Sequence, residues 1–364
     1  MVQRRSGHVT LLDIARACGC SVSTVSIVLS EAPLSKNVAA ATRERVREMA
    51  RHLGYHPDAY ARSLRRRRSQ TIAVLAYDLS DPFCIPLVQG IQSGLKPASY
   101  LPLLMDAQTK RKLFDNYLRM ILERRAEAVI VIASWIFEET NLLADIEKNK
   151  VPIVIIGRDL TEKKINSMLI DNQAGGAMAF THLATMGHRR IAIIRGPEEL
   201  LDSAPRWKGV QQAAAQAGVV IDERLVLQLP SLTDSAFGFE GGLRAARKLL
   251  AGKQSFTAVL AFDDMTALGV IRALSEAGRR VPEDCSVIGF DDVLPARVAT
   301  PGITTVHQPL HEMGLQAATW VMEEIKVRQA GTQGRVRLEY AQPELLVRAS
   351  TTRAAEDGKR QSQA

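Results

Sequence analysis

Two textures of apolar patterning meet near residue 70. Before it, hydrophobic side chains recur at helical spacing in short stretches. Thr10–Ala17 sets Leu11, Ile14 and Ala15 on one face, and Gly19 interrupts it. Ser21 can cap a second helix carrying Val25, Val28 and Leu29, which Glu31-Ala32-Pro33 breaks. A third runs from about Thr42 to Leu53, with Val46, Met49 and Leu53 inward and Gly54 as its stop. Pro57 suits the first position of another short helix, Asp58–Leu64.

From Thr71 onward, short β-branched runs alternate with amphipathic stretches. The pattern predicts strands at 71–77, 100–106, 128–133, 152–157, 190–195, 224–229, 258–262 and 285–290. It predicts helices near 83–96, 109–125, 138–149, 173–187, 205–217, 236–251 and 265–278. Strands that are apolar without alternation are buried on both faces. Their alternation with helices predicts parallel sheets covered on both sides. So many units are too many for one compact sheet, so two α/β lobes are expected after an all-α segment. The tail from Ala354 is polar and reads as disordered.

Charge sharpens the division. Residues 1–70 hold 13 Lys and Arg against 5 Asp and Glu, whereas the remaining 294 residues hold 34 of each. The whole excess of +8 therefore sits in the first fifth of the chain, which points to a polyanion partner there. No apolar run reaches the 18 or so residues that span a bilayer, so no membrane role is implied. The N-terminus lacks the apolar core of a signal peptide, which leads to a cytoplasmic expectation. Cys18, Cys20, Cys84 and Cys285 make no disulfide framework; Cys18 and Cys20 read as small buried hydrophobes rather than the start of a metal site.

A helix, a tight glycine turn and a second helix of small polar residues make a helix-turn-helix. The second helix enters the major groove and meets base edges with its first residues. Here these are Val22, Ser23, Thr24 and Ile27, with Ser21 and Ser26 near phosphates. Serine and threonine can bond bases or phosphates, whereas valine and isoleucine meet only thymine methyls. The ordered stretches Val9–Ala15, Gly19–Ser26, Thr42–Val46 and Leu53–Pro57 resemble the LacI/GalR family of repressors. Ile27 and Asp58 depart from the residues that the family usually carries there. The resemblance implies DNA contacts from Thr10, Tyr55 and Ala61 as well. It also implies a hinge helix whose Leu64 wedges into the minor groove and kinks the duplex. Arg65–Arg68 would add non-specific attraction.

Residues 71–351 resemble the core of the same family, which shares the two-lobed fold of periplasmic sugar-binding proteins. Stretches that carry this are Asp81-Pro82-Phe83, Leu169–Asn172, Gly187–Ile191, Ala261–Asp264, Val287–Asp292 and Pro301–Val306. The implied effector residues mostly follow strands: Asp81, Phe83, Ser134, Arg158, Asp171, Arg206, Phe237, Asp263 and Asp291. Carboxylates with an arginine and aromatic rings suit a polyhydroxylated ligand. Helix capping is the plainer alternative for Asp263, Asp264 and Asp291, and core packing for Phe83 and Phe237.

The motifs of common enzymes are absent: no phosphate-binding P-loop, no G-x-S-x-G, no H-E-x-x-H and no metal-ligand spacing. The sequence thus predicts a regulator without enzymatic activity, cofactor or metal. Its parts are a helix-turn-helix headpiece at 1–56, a hinge helix and basic linker at 57–70, a two-lobed core at 71–353 and a tail at 354–364. Its expected partners are a near-palindromic double-stranded operator, a small effector and a second copy of the chain, with a tetramer left open. A periplasmic solute receptor is the rival reading; it would share the core fold but not the headpiece.

Overall fold

The computed structural model describes residues 9–30, 33–55, 69–132, 151–231, 238–332 and 334–355. The chain divides into two compact units, Met1–Ser69 and Gln70–Ala364.

In the first unit, α1 (Leu11–Cys18) begins at a capping box. The Thr10 hydroxyl accepts from the Asp13 N–H, and the Asp13 carboxylate accepts from the Thr10 N–H at 2.9 Å. Gly19, at φ 61°, ends it in the left-handed conformation that glycine adopts without a Cβ clash. Ser21 then caps α2 (Val22–Leu29) by accepting from the Thr24 N–H at 3.0 Å. The axes of α1 and α2 differ by 109°, within the helix-turn-helix range. α3 (Ala40–His52) begins two residues before the predicted start, and Ala39 gives it no side-chain cap. Ile14, Val25, Val28 and Val46 form a small core, with Met49 and Tyr55 packed on its edge. The predicted helix 58–64 lies outside the described residues, as does the arginine run 65–68.

The second unit holds two six-stranded sheets. The strands are β1 (Thr71–Ala76), β2 (Leu101–Asp106), β3 (Ala128–Ile132), β4 (Ile153–Ile156), β5 (Asn166–Ile170), β6 (Ile191–Arg195), β7 (Val226–Gln228), β8 (Ala258–Leu260), β9 (Ser286–Asp291), β10 (Thr304–His307), β11 (Leu338–Ala341) and β12 (Glu344–Leu346). One sheet runs β11-β5-β4-β3-β1-β2, all parallel; the other runs β12-β10-β9-β8-β6-β7, with only β12 antiparallel. The chain thus crosses between lobes at Ile170–Asn172, His307–Leu310 and Ala341–Glu344. The two α/β lobes expected from the pattern are present.

The helices around the sheets are α4 (Cys84–Leu95), α5 (Arg111–Met120), α6 (Asn172–Thr185), α7 (Ser203–Gln216), α8 (Phe239–Ala251), α9 (Asp264–Glu276), α10 (Leu294–Val298) and α11 (Leu310–Gln329). The predicted helix near 138–149 lies outside the described residues. Six elements escaped the pattern: β5, β10, β11, β12, α10 and α11. The tail predicted from Ala354 begins with a residue still tied in, since the Ala354 N–H donates to the Met186 carbonyl at 2.9 Å; residues 356–364 lie outside the description.

Three helix pairs approach through reciprocal glycines. A Cβ at Gly176 of α6 would overlap the Arg206 carbonyl of α7, and one at Gly209 of α7 would overlap the Gln173 carbonyl of α6. Gly242 and Gly269 do the same for α8 and α9, and Gly90 and Gly314 for α4 and α11. Backbones in such contact leave no room for side-chain adjustment. Gly209→Ala should therefore force α6 and α7 apart and destabilise the core by about 3 kcal/mol or more. Thermal melting should fall by roughly 6–12 °C. An unchanged melting temperature would show that the crossing gives way freely.

Candidate functional site

On the first unit, one face of α2 is core and the other is open. Val25 and Val28 are buried, whereas Ser21, Val22 and Ser23 are exposed and Thr24, Ser26 and Ile27 half-buried. Val22 keeps 41% of its surface exposed, an apolar side chain left in water at the first turn of the helix. Thr10 is exposed with its hydroxyl donating to Asp13, and Tyr55 lies half-buried against the small core. Ala61 and Leu64 lie outside the described residues.

In the second unit, a cavity of about 360 Å³ opens between the lobes. Its walls rise where strand order reverses, after β1 in one lobe and after β6 and β8 in the other; clefts form at such switch points because successive connections part to opposite faces. Asp81 and Phe83 line it from the first lobe, and Arg206, Asp263 and Asp291 from the second. Two predicted residues do not line it. Asp171 caps α6 instead, accepting from the Ala174 N–H at 2.9 Å. At the end of β4 the cavity is lined by Gly157, at φ 103°, rather than by Arg158. Ser134 and Phe237 lie outside the described residues. Residues not foreseen as ligand contacts also line the space, among them Tyr77, Asp78, Phe239, Phe262 and Gln308. Asp78 and Phe262 sit at strand ends, where the same rule could have found them.

Arg206 is the pivot of the second wall. It is 6% exposed, and its Nη1 donates to the Phe262 carbonyl at 2.6 Å while Nε and Nη2 donate to Asn172 Oδ1 at 3.1 and 2.8 Å. Its guanidinium lies 3.5 Å from the Phe290 ring centroid and 4.4 Å from that of Phe262. The α6–α7 glycine crossing fixes the backbone carrying it. Burial lowers its pKa, and Asp291, Asp202 and Asp263 pull it back up.

The carboxylates are pushed the other way. Asp81 stays open to solvent in its turn, but the protein mass around the cleft desolvates its carboxylate and raises it to about 6, with its bond to the Phe83 N–H opposing and nearby Asp263 adding. Asp263 and Asp291 are also raised by burial, and Arg206 draws both down. Asp263 caps α9, accepting from the Thr266 N–H at 2.6 Å, so the capping alternative holds for it while it also lines the cavity.

Behind this wall, Asp291 and Asp292 both have positive φ, 105° and 62°, strained for residues with a Cβ. Two anchors hold the turn. Asp291 accepts from Gln308 in a lobe crossover, and buried Asp292 binds Arg348, Arg297 (2.7 Å) and His307 (3.0 Å).

Asp264 is fully buried, accepts from the Val293 N–H at 2.9 Å and the Thr305 hydroxyl at 2.7 Å, and titrates at about 7 because burial disfavours its charge. Its folded pKa exceeds the unfolded 3.8, so the folded state binds the extra proton. Its contribution to stability is full below the unfolded pKa and is lost as pH rises toward 7. Between pH 5 and 8, wild type should lose roughly 2–3 kcal/mol more than Asp264→Asn in urea unfolding. Parallel losses in both proteins would refute this.

Residues 10–58 match the model of bacterial regulatory proteins of the lacI family, and residues 180–351 match a periplasmic binding protein-like domain. The chain is 32% identical over 350 residues to the HTH-type transcriptional regulator DegA of Bacillus subtilis, covering 94% of this chain and 98% of that one. It is 30% identical over 342 residues to the transcriptional repressor CytR of Escherichia coli, covering 94% and 96%. Among solved structures, the regulator CelR in complex with cellobiose is 30% identical, with a TM-score of 0.68 and coverage of 94% and 100%. The lac repressor dimer bound to operator and the anti-inducer ONPF shares the fold at 23% identity, with a TM-score of 0.79 and coverage of 95% and 99%. These relatives are regulators and not enzymes, and the match runs through headpiece and core alike. The chain belongs to the lacI family of bacterial regulatory proteins.

Proposed function

We propose that the protein is a sequence-specific repressor whose operator affinity is set by a small polyhydroxylated effector, a sugar or sugar derivative, held between its two core lobes. One observation carries this: a helix-turn-helix unit and a cavity walled by both lobes occur in one chain, at the positions where the family joins them. A cellobiose complex among the similar structures supports the ligand class, as does a ribose complex of a regulator from Enterococcus faecium. Exposed Ser21, Val22 and Ser23 read base edges and phosphates, with Thr10, Thr24, Ser26, Ile27, Tyr55 and Ala61 around them. Two copies of the chain bind a near-palindromic operator, inside the cytoplasm. The effector contacts Asp81, Phe83, Arg206, Asp263 and Asp291, and closure of the lobes changes the spacing of the two headpieces.

The test is a gel shift with genomic fragments over a range of salt. Specific complexes should weaken steeply as salt rises. Leu64→Ala, which removes the proposed minor-groove wedge, should weaken specific binding by about tenfold or more and leave non-specific binding nearly unchanged. Equal loss on every sequence would remove Leu64 from that role.

A further inference from the structure

The cavity is far more acidic than a neutral ligand requires. Its lining, among the described residues, sets five carboxyl groups, Asp78, Asp81, Asp202, Asp263 and Asp291, against a single cation, Arg206. That cation already serves the protein: three of its bonds go to Asn172 and the Phe262 carbonyl, and its plane is stacked on Phe290. The acids also stand on both walls, Asp78 and Asp81 on the first lobe and the other three on the second. A closing cleft therefore brings like charges together out of water, which is unfavourable unless something positive comes between them. Phe83, Phe239 and Phe262 supply ring faces, which attract cations as well as apolar sugar faces.

We infer that the cleft takes a polyhydroxylated molecule carrying a protonated amine, such as an amino sugar, and excludes phosphorylated or carboxylated sugars. This rests on the reading of the cleft as the effector site. The ammonium sits between Asp81 of one lobe and the Asp263 and Asp291 pair of the other. Neutralising both walls at once, it draws the lobes together. A phosphate in the same place meets five carboxylates and an arginine whose bonds are largely committed.

The test uses the full chain and two probes, methylammonium chloride and inorganic phosphate, at equal ionic strength and pH 7.5 against a sodium chloride control. Methylammonium should raise the melting temperature of the wild type, and should no longer do so for Asp81→Asn/Asp291→Asn, a pair of near-isosteric changes. Gel-shift binding of that variant verifies that it is folded, and Asp81→Asn alone, in a surface turn of the first lobe, should halve the effect if the double variant is not. In titrations, glucosamine should bind roughly tenfold more tightly than glucose. Equal responses of wild type and variant to methylammonium, or none in either, would overturn the amine assignment. So would stabilisation by phosphate that Arg206→Ala removes, although that result would keep the cleft as the effector site. The effector reading itself fails separately, if no sugar, amino sugar or nucleoside alters operator binding in a way that cleft substitutions change.

Discussion

Arg206→Ala should abolish the effector response while operator binding persists. The guanidinium holds Asn172, the Phe262 carbonyl and two phenylalanine rings in one arrangement, and it is the lone cation on the described cavity wall. Its removal leaves Asp263 and Asp291, whose pKa values burial already raises, without the positive charge that draws them down. Truncating one member of such a buried set costs about 2–5 kcal/mol of binding, which corresponds to roughly 30-fold to several-thousand-fold weaker effector affinity. Arg206→Lys keeps the charge but not the planar fork, and should recover little. The measurements are effector titration of the isolated protein and of its operator complex. A response within twofold of wild type would remove Arg206 from the site.

The second large effect concerns the headpiece. Val22→Asp and Val25→Asp should each eliminate specific DNA binding, for different reasons. Val22 is exposed on α2, so an aspartate there leaves the unit folded and sets a negative charge where the phosphate-lined groove must approach. Val25 is fully buried among Ile14, Val28 and Val46, so an aspartate there buries an unpaired charge in a very small core. A unit of this size has only a few kcal/mol of stability to lose and should unfold. Circular dichroism and NMR of residues 1–69 within the full chain separate the two, and effector binding by the core should survive both. Retention of specific binding by Val22→Asp would mean that this turn does not face DNA.

What could be read in the sequence, and what could not, has a physical pattern. Long apolar runs such as β1 and β3 announced themselves because both faces are buried and every position after Thr71 in β1, and every position in β3, is hydrophobic. β5 did not, because Asn166 and Ser167 are buried as polar side chains with work to do: Asn166 accepts from the Arg337 N–H, and Ser167 donates to the Ile165 carbonyl. α11 lacks a narrow apolar stripe, since Gly314, Ala317 and Ala318 let it bury a broad face against α4. In the cleft, the rule that ligand residues follow strands located Asp81, Phe83, Asp263 and Asp291, but it included Asp171, whose carboxylate is spent on a helix end. Gln308 was invisible to it, because that residue reaches the cavity from a crossover between lobes.

The glycine crossings bear on how this cleft could acquire a new ligand. Arg206 lies one turn from Gly209, Phe239 and Asp263 flank the meeting of Gly242 with Gly269, and Phe83 opens the helix whose Gly90 meets Gly314, so each wall stands on a joint defined by backbone alone. Side chains facing the cavity are then exchangeable without re-aiming the helices that bear them. For directed evolution this separates the chain into a fixed chassis and a small editable panel. A library confined to Asp78, Phe83, Asp202, Phe239 and Met265, with the six glycines untouched, should hold many folded proteins with altered ligand choice. The same diversity placed at the crossings should yield few folded proteins at all.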